Sequence, residues 1–341
     1  MKKTFLFAIM AVFTLAFIAC EGGSNPETKQ TKLFPAMDAT GDKWGYINEK
    51  GEMVLPAIYD QAGAFSCGYA LVATGYNSYF IDEQGNKQEA TFDSAVPFYY
   101  NYAVVFLNNG FGLLSNSFDL TIEPVMERLG DMGDNGLLCA KRQGSTKWEY
   151  VDANGETKIE AQFDGADNFK AGMAIVYVGS QCGTIDKNGE YIIEPSSQLG
   201  LTNMGEGLLA NYNFDAQKWE VLNKNGEAIT QPIYDDIRDV SDGLIAVSGG
   251  NNTCGHINTK GEVVIPQQYA QVTSFSEGYA WAAESHYSAF MCIDKKNNVV
   301  FTLEKGEKPI STFRCGLALV ETANGYKYVG TEGQTIYEWN D

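Results

Sequence analysis

Histidine is scarce in this chain: two residues, His256 and His286, in 341. Neither has converging ligand residues near it in the sequence, so no metal ligand set is assigned. No Ser-His-Asp arrangement can be singled out. The seven cysteines include no C-x-x-C pair, which removes the usual zinc signature. Basic residues are few, 24 against 43 acidic ones, and the net charge is −19. A surface that acidic repels phosphate backbones and anionic lipid heads, so nucleic acid is excluded as a partner. No long stretch carries the apolar period of a helix. The apolar run of residues 5–18 is too short for a typical membrane span.

What the chain does have is a period. A turn glycine recurs at Gly51, Gly85, Gly155, Gly189, Gly226, Gly261 and Gly333, with Phe118 and Asn297 at the same place in two weaker copies. The gaps are 34, 33, 37, 34, 37, 35, 36 and 36 residues. Just before each turn an apolar residue is followed by Asp or Asn, as in Ile47-Asn48, Val151-Asp152 and Ile257-Asn258. Such side chains bond backbone amides across a turn. A large side chain commonly stands three residues ahead: Trp44, Phe111, Trp148, Trp219, Phe290, Tyr326. A second glycine closes a loop at Gly68, Gly136, Gly172, Gly207, Gly243, Gly278 and Gly316, with Asn101 in the remaining copy. Short β-branched and aromatic runs lie between these glycines. The expectation is an all-β array of about nine units of 33–37 residues. Its cadence matches a β-propeller blade, with residues 269–274 as a short inner strand; an open β-solenoid is the alternative. The sequence shows no obvious protection of strand edges.

The run Lys43-Trp44-Gly45-Tyr46-Ile47-Asn48 and the run Phe275-Ser276-Glu277-Gly278-Tyr279-Ala280 resemble the WG-repeat family, also called KWG repeats. The resemblance covers residues 43–339, although Trp148-Glu149 and Trp219-Glu220 lack the glycine. The family occurs in bacterial surface and secreted proteins. It implies a repeat scaffold and no catalytic residues.

The N-terminus reads as a targeting segment. Lys2 and Lys3, the apolar run, then Ala19-Cys20 resemble a bacterial lipoprotein signal peptide cut before Cys20, with Phe17 where leucine is more usual. The expected organisation is a signal peptide over 1–19, a lipidated Cys20 and flexible tether over 20–32, and one repeat domain over 33–341. Removing Lys2 and Lys3 takes the net charge from −19 to −21.

Candidate chemistry is sparse. Asp152-Ala153-Asn154-Gly155-Glu156 and its counterpart at Asp186 fall on the repeat turn and lack the ligand spacing of a calcium loop. With 43 acidic residues, a pair of carboxylates at hydrolase spacing arises by chance. The more distinctive material is aromatic: Phe98, Tyr99, Tyr100 and Tyr102, with Trp281 and Tyr287, whose faces suit sugar rings or apolar peptide side chains. No cofactor is implied. The expectation is a non-enzymatic, lipid-anchored envelope scaffold, bound to the membrane through its N-terminal lipid and taking a protein or glycan ligand. The alternative is an envelope glycan hydrolase with its site in a central channel. Cys67 and Cys315 share one repeat position; eight units in a ring would make them neighbours, and nine would keep them apart.

Overall fold

The computed structural model describes residues 32–250 and 253–340. The signal segment, Cys20 and nearly all of the tether lie outside the described residues. Every regular element described is a strand, and every pairing is antiparallel.

The eighth unit shows the pattern. Strand a (Gln271–Val272) pairs with strand b (Tyr279–Ala283), b with c (Met291–Asp294), and c with d (Val299–Thr302). Among the described residues such units number nine. The third and fourth share a seven-stranded sheet, because Leu120–Leu129 serves as strand d of one and continues as strand a of the next. The first unit holds only b (Phe34–Met37), c (Trp44–Ile47) and d (Met53–Tyr59).

Each blade is apolar on both faces and buries them against its neighbours. Nine core clusters fill the nine gaps between blades. One of them joins Phe34, Ala36 and Ile47 of the first blade to Leu317, Leu319, Tyr328 and Trp339 of the ninth. The array is therefore a closed, propeller-like ring and not an open solenoid. A ring of nine also separates Cys67 from Cys315: both are free, Cys67 packing between the second and third blades, Cys315 between the ninth and first.

The repeated residues have physical jobs. The glycine after the repeat tryptophan lies under the backbone of strand d. A methyl group on Gly255 would stand 2.4 Å from the Ile265 carbonyl oxygen, and on Gly45 2.6 Å from that of Leu55. Where glutamate replaces this glycine, its carboxylate is paired: Glu149 with Arg142 at 2.6 Å, Glu220 with the Asn211 amide at 2.9 Å. The lysine before the tryptophan reaches an aspartate at the entry to the next blade: Lys43 to Asp60, Lys147 to Asp164, Lys218 to Asp235. Asp60 and Asp164 also accept the amides of Gly75 and Gly179, which pins the next b–c turn. The turn glycines have positive φ (82° at Gly51, 79° at Gly261), and Phe118 and Asn297 adopt the same sign at 66° and 65°. Asn48 Oδ1 accepts the amides of Lys50 and Glu52, as the Asp/Asn column requires.

Two residues beyond the tryptophan column, strand c sends a donor into the next blade. The Tyr46 hydroxyl donates to the Gly63 carbonyl at 2.8 Å, and Tyr150 to Asp167 at 2.9 Å. His256 occupies this column. Its Nε2 lies 2.8 Å from the Thr273 carbonyl and must carry the proton there, while buried Nδ1 has no partner. The ring packs edge-on to Phe275 at 4.8 Å, as Tyr46 does to Phe65. His256 is thus a substitute for tyrosine in the frame.

The first blade lacks strand a among the described residues, and its exposed edge is finished by other means. Pro35 has no amide to satisfy. The carbonyl of Pro35 accepts from the Tyr328 hydroxyl and that of Met37 from Tyr337, both at 2.9 Å. Outer edges are protected too, contrary to the sequence reading: Pro56, Pro124, Pro195 and Pro266 interrupt four d strands.

Two predictions follow from this frame. Gly255→Ala should cost about 1–3 kcal/mol through overpacking. Gly278→Ala, at φ 87° but with nothing within 4 Å of the new methyl, should show only backbone strain of about 1–2 kcal/mol. Urea unfolding of both variants separates the terms; a neutral Gly255→Ala would refute the crossing. Burial lowers the His256 imidazole below its ordinary value of about 6.5. The unfolded chain then binds a proton that the folded one refuses, so stability is lost as pH falls below about 6.5 and levels off below the folded value. His256→Tyr should remove that component, leaving the variant less acid-sensitive than the parent in melts at pH 7.5 and 5; equal losses would exclude it.

Candidate functional site

The a–b connections build the site. In seven blades they are two-residue turns with positive φ at both positions, among them Tyr100-Asn101 (46°, 66°), Glu277-Gly278 (54°, 87°) and Cys315-Gly316 (47°, 82°). This is the hairpin turn whose twist matches the strands. One extra residue in strand a precedes each turn: Gly63 and Ser66 bond Leu71 and Tyr69, leaving two residues opposite one. The short inner strand expected within residues 269–274 is observed as Gln271–Val272, and the loop closed by Gly278 is a tight, bulged hairpin.

These turns are linked forward around the ring. Asp242 accepts the Gly278 amide at 2.6 Å, and Glu277 accepts those of Cys315 and Gly316 at 2.6 and 2.8 Å. The hydroxyls of Ser66, Ser241 and Ser276 donate to the carbonyls of Phe98, Phe275 and Phe313 in the following blades. Two contacts skip a blade. Lys170 of the fifth reaches Asp239 of the seventh at 2.5 Å, and Arg314 of the ninth reaches the Phe65 carbonyl of the second at 2.6 Å. Only strands crowded around an axis permit such jumps, so the a strands form the inner wall.

Around that wall the bulge position is Ala64 and Pro97 in the second and third blades, then Asp131, Asn168, Asn203, Asp239, Ser274 and Thr312. Between the third and fourth blades an aromatic and acidic group gathers. The Tyr99 and Tyr100 rings meet edge to face at 4.5 Å. Burial raises the Tyr99 phenol, helped by Tyr100, Asp134 and Asp131 nearby. Asp131 and Asp167 are open to solvent, yet crowding by protein raises both carboxyls above the ordinary range. Burial, with Asp167 and Asp131 adding, pushes the Cys139 thiol up to about 12, which makes it an inert protonated group. The arrangement offers aromatic faces, carboxyls and amides for stacking and hydrogen bonding.

The six aromatic candidates do not form one surface. Phe98 and Trp281 are core residues at 0% exposure: Phe98 fills the gap between the second and third blades, and Trp281 stacks on Phe313 and donates to the Ser311 carbonyl. They present no face to a ligand. Tyr99, Tyr100 and Tyr102 are half-buried at the axial turn. Tyr287 is 88% exposed on a b–c turn, at the opposite end of the strands. Sequence reasoning missed Asp131, Asp167, Lys170 and Asp239. The available signal was the bulge position, where the period holds the place and the residue type varies.

Among the described residues no group of three or more His, Cys, Asp or Glu is placed to hold a metal. A shallow, open concavity of about 540 Å³ lies beside a b–c turn of the ninth blade, lined by Glu321, Thr322, Asn324, Tyr326 and Asn340 among others.

Comparison by sequence with characterised proteins finds no match. Comparison of folds finds a crystal structure of the eukaryotic initiation factor, with TM-score 0.63 and 12% identity over 92% of this chain and 96% of that one. BamB from Moraxella catarrhalis aligns with TM-score 0.40 and 13% identity, over 73% and 88% of the two chains. At such identities the first likeness shows the fold alone. The family model for the WG containing repeat matches residues 44–77, 150–182, 221–252 and 255–284. The chain therefore carries WG repeats at these four places.

Proposed function

We propose that this protein is a non-enzymatic, lipid-anchored scaffold of the bacterial cell envelope that binds a protein or glycan at the axial face of its ring. The observation that carries the reading is Tyr100. It holds φ 46° in a turn position where the other blades use Cys, Ala, Glu or Asp, and a bulky residue there is strained. Its ring is half-buried against the core between the third and fourth blades, with the rest of its surface open at the axial turn. Strain of this kind persists where the surroundings impose it, and it concentrates at ligand contacts. Tyr99, Asp131 and Asp134 beside it complete a stacking and hydrogen-bonding patch. The basic–apolar–Ala19–Cys20 order supports acylation of Cys20 and hence retention at a membrane.

A second reading, an envelope glycan hydrolase, is favoured by the raised carboxyls of Asp131 and Asp167 near the axis. It predicts release of reducing ends from cell-wall glycan, abolished by Asp131→Asn.

Tyr100→Asn relieves the backbone strain but gives up the ring's packing on the core between the third and fourth blades, so the thermal midpoint should move little. The same variant, and Tyr99→Ala, should weaken binding to solubilised cell-wall glycan fragments or purified envelope proteins at least tenfold. Undiminished binding would remove the axial face from the reading. Cys20→Ser should move the protein from the membrane fraction to the soluble one or leave it unprocessed. Unchanged membrane retention would exclude the anchor.

A further inference from the structure

Seven outer strands form among the described residues, and six are blunted. Proline interrupts Met53–Tyr59, Leu120–Leu129, Tyr191–Ser196 and Val263–Tyr269. Charged residues stand within Thr157–Phe163 (Lys158, Glu160) and Thr335–Asn340 (Glu338). The seventh, Val299–Thr302 of the eighth blade, has neither. It is the terminal strand of its sheet, so one edge of its backbone is unpaired. Val299 and Val300 are 52% and 41% exposed, and Thr302 is exposed beside them. A β-branched edge without proline or charge is a template for an added strand.

The ends of this strand select the partner. Lys296 lies in the c–d turn at one end and Lys305 in the connection at the other. Both are exposed, and neither makes an ion pair among the described residues. Residues 294–308 hold four lysines against three acidic groups, a local excess of positive charge in a chain of net charge −19. A second copy pairing through this edge would bring lysines against lysines in the antiparallel arrangement. An acidic segment would be attracted to both ends.

We propose that the outer edge of the eighth blade is a docking site for an extended peptide segment of a partner protein, β-branched at its centre and acidic at both ends. The segment adds as a fifth strand beside Val299–Thr302, its backbone bonding the free edge and its end carboxylates meeting Lys296 and Lys305. Four residues of strand bury far less than the roughly 1,200 Å² of a stable interface, so the contact is weak and reversible. The site is separate from the axial face and does not depend on the function proposed for it.

The test uses the full chain and a fluorescein-labelled heptapeptide, Glu-Val-Thr-Val-Thr-Val-Glu, followed by anisotropy at low salt. Saturable binding is expected, weakened at least tenfold by Val300→Lys and by Lys296→Glu/Lys305→Glu. Val264→Lys in the seventh blade and Tyr100→Asn at the axis should leave it unchanged. A peptide with lysine at both ends should bind at least tenfold more weakly. Absence of saturation at millimolar peptide, or equal affinity of the Val300→Lys variant, would overturn the proposal. So would a dimer in sedimentation that Val300→Lys dissociates, since the occupant would then be a second copy.

Discussion

A blade of this protein has two apolar faces and no means of covering either alone. Everything else in the structure depends on that constraint, because each of the nine gaps must be filled by its two neighbours, including the gap between the two ends of the chain. The seam is closed by face-to-face contact between the first sheet and the ninth, with no strand shared between them. Phe34 packs on Tyr328 at 5.5 Å and Trp44 on Trp339 at 6.1 Å. In the other blades strand a donates its amides to strand b, as Thr273 does to the Trp281 carbonyl and Ala270 to that of Ala283. In the first blade the hydroxyls of Tyr328 and Tyr337 take those two acceptors, and Pro35 removes the amide that would have needed a partner. Among the described residues the first strand's inner carbonyls are therefore satisfied by these two tyrosines.

The same constraint divides the sequence into positions that repeat and positions that do not. The tryptophan, the donor column of Tyr46, Tyr150 and His256, and the turn glycines serve contacts between blades, and the glycine after the tryptophan serves the c–d crossing within its own blade, so all recur. Turn glycines lean on strand d of the blade before them where that strand forms: Gly85 on Leu55, Gly189 on Ile159, Gly333 on Phe301. Residues with no such contact are free to differ. The outer edges vary for that reason, while the axial turns and the bulge position vary because their links differ from blade to blade, as Asp242–Gly278 and Lys170–Asp239 do, and both proposed sites lie in these regions.

Much of this order was legible in the sequence because turn chemistry is local. A glycine at positive φ announces itself, and nine of these positions at a regular spacing gave the number of units. The axial hairpins were harder to read. Cys67, Tyr100, Glu206 and Glu277 adopt left-handed backbone without being glycine, and only the following residue hinted at it. Phe98 and Trp281 looked available for binding because aromatic residues serve surfaces and cores alike. Their burial follows from which face of a narrow strand meets the next blade, a matter of register that a sequence does not display. The carboxyls at the axis were hidden for another reason: Asp131 and Asp167 are unremarkable among 43 acidic residues until the ring brings them beside Cys139.

The distribution of edges bears on how such a ring works in company. Closing the ring does not pair its outer strands, so nine blades leave a circle of edges facing outward. Prolines and charges silence six of the seven strands formed there among the described residues. What remains is one short edge and one aromatic patch, each too small for tight binding alone. For a chain tethered at a surface, as proposed through Cys20, weak sites suffice, because partners held on the same membrane meet at high effective concentration. Two small contacts, if made by one partner, would reinforce each other in the same way.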